Sequence, residues 1–138
     1  MVLFFTEYME MPLSEVLDRL SIVELKIERI GEPHLALEKE ALEEAVKEFE
    51  DRGIQIDFSW VRDLKEINGQ IWDLESDIRK GKEGELGLEE VGRRAIMIRG
   101  KNKIRVGIKN AITESTGLGF RDVKMNHACV QSTDICHP

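Results

Sequence analysis

Eight polar side chains of this sequence fall where helical spacing also sets apolar ones: Glu24, Glu28, Asn68, Glu75, Arg94, Asn102, Arg105 and Lys109. At 100° per residue, Glu24 lies between Leu17 and Leu20, with Glu28 one turn on. Glu75 lies between Leu64 and Val61, with Asn68 close by. Arg94, Asn102, Arg105 and Lys109 share an arc with Val91, Ala95, Ile98, Val106, Ile108 and Ile112. Acids on two predicted helices and bases on a third therefore face one interior. A charge taken out of water must be paired or hydrogen-bonded, since alone it costs several kcal/mol. Two chemistries meet that demand. One is an internal ion-pair network that fixes helix register. The other is a ligand pocket in which Arg94, Arg105 and Lys109 grip a phosphate or carboxylate. Glu24, Glu28 and Glu75 would then offer hard oxygen ligands to Mg²⁺.

A second constellation lies at the C-terminal end, where His127, Cys129, Cys136 and His137 put four zinc-type ligands within eleven residues. His-x-Cys and adjacent Cys-His are not the usual ligand spacings, and a Cys129–Cys136 disulfide or free thiols are the other readings. Free thiols fit it best. Neither a Ser/His/Asp arrangement nor a strand–glycine turn–Lys-[Ser/Thr] phosphate loop is visible.

The elements that must position these groups are helical. Leu13, Val16, Leu20, Val23, Ile27 and Ile30 recur at three and four residues behind Pro12, and Gly31 and Pro33 end the run. Ile22 and Leu25 add a second apolar face, as a central helix requires. Leu35, Leu42, Ala45, Val46 and Phe49 form one stripe on an otherwise acidic helix closed by Gly53. Leu64, Ile67, Ile71, Leu74 and Ile78 make a third seam, entered through Asp57 or Ser59 as caps and ended at Lys80-Gly81. A flexible loop over 81–87 leads to a long helix capped by Gly117. The spacing predicts helices over about 12–30, 34–52, 59–80 and 88–116 in a mainly α, antiparallel four-helix bundle. Short extended segments are expected at residues 2–9, around 54–58 and in the tail 118–138. All of 1–138 reads as one helical domain.

The last helix is unusual twice over. From Arg93 to Lys109 it carries seven Lys or Arg and no acid, inside a chain of net charge −7. It also holds Gly92, Gly100 and Gly107, each costing a helix about 0.8–1 kcal/mol relative to alanine. Close approach by a terminal arm, a second subunit or a ligand would offset that cost.

Composition bounds the rest. With 41% apolar and 34% charged residues, 138 residues suffice for a packed core without staples. No apolar run approaches the roughly 20 residues of a spanning helix. The opening MVLFF lacks a basic flank and meets Glu7 and Glu10, unlike a signal peptide. A cytoplasmic protein is the expectation, and the acidic total argues against a dedicated nucleic-acid binder.

Three segments, SEVLDRLSIVELKIERI (14–30), LKEINGQIWDLESDIR (64–79) and VGRRAIMIRGKNKIRVGIKNAITESTGLGFRDVKMNHA (91–128), resemble a family of small bacterial and viral helical proteins with no established activity, some found near or attached to sugar-transfer enzymes. The three segments make up about half of the chain. The resemblance implies a compact helical domain and makes Glu24, Lys26, Asn68, Trp72, Glu75, Arg79, Arg105, Lys109 and His127 the positions of interest.

The first expectation for function is a binding or interaction module, with a homo-oligomer or another protein as partner and the Glu/Arg cluster as internal glue. The alternative is a Mg²⁺-dependent enzyme or binder acting on a nucleotide or another phosphorylated small molecule.

Overall fold

The computed structural model describes residues 11–81 and 83–119. They form five helices: α1 (Leu13–Arg29), α2 (His34–Asp51), α3 (Ser59–Arg79), α4 (Glu83–Leu86) and α5 (Leu88–Thr116). The four long helices lie within a residue of the predicted spans. The short turn α4 is a correction, since the sequence reads as a flexible loop there. Residues 54–57 are an irregular connector rather than a strand, and the described residues contain no strand. The extended segments expected at 2–9 and beyond residue 119 lie outside the described residues. No helix among the described residues is long and apolar enough to cross a membrane.

The helix ends follow local chemistry. Pro12 precedes α1, and its carbonyl accepts from the N–H groups of Glu15 and Val16 at 3.0 Å. Asp57 acts one position earlier than a standard cap. Its Oδ1 accepts the Ser59 N–H at 2.9 Å, and hydrogen bonds from the Ser59 hydroxyl and from this N–H hold the Asp57 carboxyl below its ordinary value. Gly117 ends α5 in the left-handed region at φ +70°, donating its N–H to the Thr113 carbonyl at 2.8 Å.

Helix α1 is the hub, touching α2, α3 and α5. Its two apolar faces, read from the sequence, account for this. Leu13, Val16, Leu17, Leu20 and Val23 join Leu42, Val46 and Phe49 of α2, Val61 and Leu64 of α3, and Ile112 of α5 in one core. Leu25, on the other face, sits in a notch that Gly69 opens in α3. A Cβ at Gly69 would lie 3.3 Å from an Arg29 guanidinium nitrogen and 3.6 Å from a Leu25 methyl. Arg29 closes the end of this seam. It binds Asp73 at 2.7 Å and lies over the Trp72 ring, which Arg79 also contacts.

Burial fades towards the end of α3 and over the first half of α5. On α3 the last fully buried residue is Gly69, and on α5 only Lys109, Ile112 and Thr113 are buried. Helix α1 ends at Arg29, so nothing covers the far turns of either helix as completely. Gly92, Gly100 and Gly107 are exposed, and a Cβ built on any of them meets nothing within 4 Å. Among the described residues, then, no arm approaches them. Their φ angles are not left-handed. Alanine at each is therefore expected to raise stability by about 0.5–1 kcal/mol, read as a higher urea midpoint at unchanged m-value.

Candidate functional site

The most enclosed charged group among the described residues is Asp18 of α1, which is 1% exposed. Arg105 reaches it from α5 with both arms of its fork: Nε donates to Oδ1 at 3.0 Å and Nη2 donates to Oδ2. Asn68 enters from α3. Its Nδ2 donates to Asp18 Oδ1 at 3.0 Å and to Ser21 Oγ at 2.9 Å. The Ser21 hydroxyl in turn donates to the Asp18 carbonyl at 2.6 Å. Three helices are thus tied at one carboxylate. One turn away, Lys109 of α5, itself buried, pairs with Glu15.

The electrostatics favour the ionised form. Burial alone would push the Asp18 carboxyl up. Hydrogen bonds from Arg105 and Asn68, with the charges of Arg105 and Lys109, outweigh that and hold it below its ordinary value.

The other predicted residues lie elsewhere, in smaller pairings. Glu24 and Glu28 bracket Lys65 of α3, at 3.6 Å for Glu24, and the bond to Glu28 raises the Lys65 ammonium above its ordinary value. Glu75 pairs with its helical neighbour Arg79 at 3.8 Å. Arg94 donates to Glu90 at 2.7 Å and to Asp77 of α3 at 3.4 Å. Hydrogen bonds from Arg93 and Arg94 bring the Glu90 carboxyl down to about 2. Lys101 donates to Gln70 at 2.8 Å. Asn102 is half-buried and adds no hydrogen bond to these.

Of the eight, the structure brings Asn68 and Arg105 together on Asp18 and sets Lys109 beside them. Glu24, Glu28, Glu75, Arg94 and Asn102 stand apart. Among the described residues no three His, Cys, Asp or Glu side chains converge as a metal site. His127, Cys129, Cys136 and His137 lie outside the described residues.

Asp18 and Ser21 are absent from the predicted set, because Asp18, near the start of its helix, reads as an ordinary acid favourably placed against the helix dipole. A signal was present. Ser14, Asp18, Ser21 and Leu25 recur at four, three and four residues, which puts the acid on the second buried face of α1.

Two surface cavities bypass this knot. One, of about 540 Å³, opens between α2 and α3 over α1. Leu20, Val46, Val61 and Phe58 form its apolar lining, with Glu43 and Glu50 among its charged rim. The other, of about 390 Å³, lies along α3 beside Arg29, Lys65 and Gly69. Neither is lined by Asp18, Asn68 or Arg105. Comparison with protein-family models, characterised proteins and solved structures finds no match, and the reading of this site rests on its own geometry.

Proposed function

We propose that the chain is a non-enzymatic interaction module: an antiparallel bundle whose interior charges are glue and whose working surface is the outer face of α5. The observation that carries this reading is the knot at Asp18, where the most buried carboxylate is consumed by Arg105 and Asn68. A carboxylate so held is a poor base and a poor metal ligand, because its oxygens already accept fixed donors. The antiparallel arrangement has its support in ordered pairs. Asp18–Arg105 and Glu15–Lys109 join α1 to α5, and Gln70–Lys101 and Asp77–Arg94 join α3 to α5. In each set the residue number rises along one helix as it falls along the other.

Phosphate chemistry with Mg²⁺ would need Glu24, Glu28 and Glu75 around one ion and Arg94 and Arg105 around one anion. Their separate pairings favour the module instead. The deciding experiment is a thermal-shift screen of nucleotides, sugar nucleotides and inorganic phosphate, with and without Mg²⁺. Saturation at 100 times Kd would stabilise by about 2.7 kcal/mol, so binding would be plain. The expected result is a flat screen. A Mg²⁺-dependent rise that Arg105→Ala abolishes would overturn the module reading.

A further inference from the structure

Two surfaces that no other described residue covers complement each other. The first is the outer face of α5. Ile96, Met97 and Ile104 are 63%, 37% and 53% exposed there. At 100° per residue, Ile96, Gly100, Ile104 and Gly107 share about 80° of arc, with the exposed Arg99 and Lys103 along one edge. The glycines leave that surface open to close backbone approach. The second is the cleft between α2 and α3, with its apolar floor of Leu20, Val46 and Val61 and the exposed ring of Phe58 at its side. Glu43 and Glu50 stand on its α2 rim, two turns apart and on one face, and neither has an ion pair among the described residues. Lys65 and Arg62 on the opposite rim are already engaged, by Glu24 and Glu28 and by Asp63.

We propose that the occupant of the cleft is a second copy of this chain, seated through α5, with Ile96 and Ile104 on the apolar floor and Arg99 and Lys103 against Glu43 and Glu50. This rests on the interaction-module reading and names its partner. A two-fold pairing of α5 with α5 would set Arg99 and Lys103 against themselves, a like-charge contact. A basic, apolar helix entering an acidic, apolar cleft has no such conflict. The contact joins unlike surfaces, so it closes a two-fold dimer where each α5 enters the other's cleft and otherwise builds a ring or a chain of subunits.

Sedimentation and light scattering of the full chain at low and high salt test it. The wild type should show a mass rising with concentration at low salt and falling back at high salt. Glu43→Lys/Glu50→Lys and Arg99→Glu/Lys103→Glu alter exposed positions only. Each pair alone should weaken association roughly tenfold or more. A one-to-one mixture of the two variants should restore it, since the reversed cleft of one then faces the reversed helix of the other. Unchanged association of Glu43→Lys/Glu50→Lys, with stronger self-association of a neutral Arg99→Ala/Lys103→Ala variant, would overturn the proposal in favour of α5 on α5. A monomer under every condition would overturn it in favour of another occupant, such as residues 1–10 or a different protein. With a flat ligand screen that outcome leaves the module reading standing, whereas a Mg²⁺-dependent ligand shift would remove the module reading whatever the mass.

Discussion

Arg105→Ala is expected to destabilise the fold by about 3–5 kcal/mol at neutral pH, because it strands the Asp18 carboxylate in the interior with Asn68 as its remaining side-chain donor among the described residues. The loss is larger than the worth of the pair itself, since the penalty comes from the uncompensated charge. It should be pH-dependent in a way that a packing defect is not. In the wild type the folded carboxyl lies below its ordinary 3.8. Its contribution is therefore complete above about pH 4 and is lost as pH falls from there through the lower folded value. In the variant, burial acts without Arg105, and the folded carboxyl moves above the ordinary value. Its penalty is then full at neutral pH and is relieved as acid protonates the group. The stability gap between the two proteins should thus narrow on acidification, beginning above pH 4. Urea titrations at several pH values measure it. A gap independent of pH would mean that Arg105 acts through its stem alone. Asp18→Asn should cost less, because the partly exposed Arg105 can turn to water.

Ile112→Ala should cost about 2–5 kcal/mol, the range for a fully buried aliphatic side chain. Ile112 is the one apolar side chain of α5 that is completely enclosed, and it joins Leu13, Val16, Leu17 and Leu64 in the core. It is therefore the central hydrophobic anchor of α5, with the half-buried Ile108 packed against the same core. Unlike the Arg105 deficit, this one should stay constant with pH. The same substitution at Ile104, which is 53% exposed, should fall within about 0.5 kcal/mol. Equal losses at the two positions would contradict the burial pattern.

Much of the fold is legible in the sequence because spacing and punctuation agree. Pro12, Gly31, Gly53, Gly81 and Gly117 bracket runs of three-and-four spacing, and the helices follow them. The double apolar face of α1 marks it as the hub before any contact is known. The polar knot is less legible. Arg105, Asn68 and Lys109 carry their signal, as polar residues on apolar arcs. Asp18 does not, because an acid near the start of a helix has a ready surface explanation and only its recurrence with Ser14, Ser21 and Leu25 contradicts it. Glu75 shows the opposite limit. Its phase on α3 points inward, but phase cannot say where the neighbouring helix stops. With α1 ending at Arg29, the interior that Glu75 faces is partly solvent, and Arg79 of its own helix is its partner.

The knot also bears on the order in which the chain assembles. Asp18 and Arg105 are 87 residues apart in sequence, whereas α1 and α2 are joined by a turn of four residues, 30–33. Closing the long loop carries most of its entropic cost before any reward, so the α1–α2 hairpin has every advantage of forming first. Helix α5, glycine-bearing and without a wide buried stripe, gains little from forming alone and docks after the surface that receives it exists. Its contacts with Asp18 then lie on the native side of the folding barrier. Weakening them should leave the rate of folding nearly untouched and quicken unfolding, so that Arg105 would set how long the native state lasts rather than how fast it is reached.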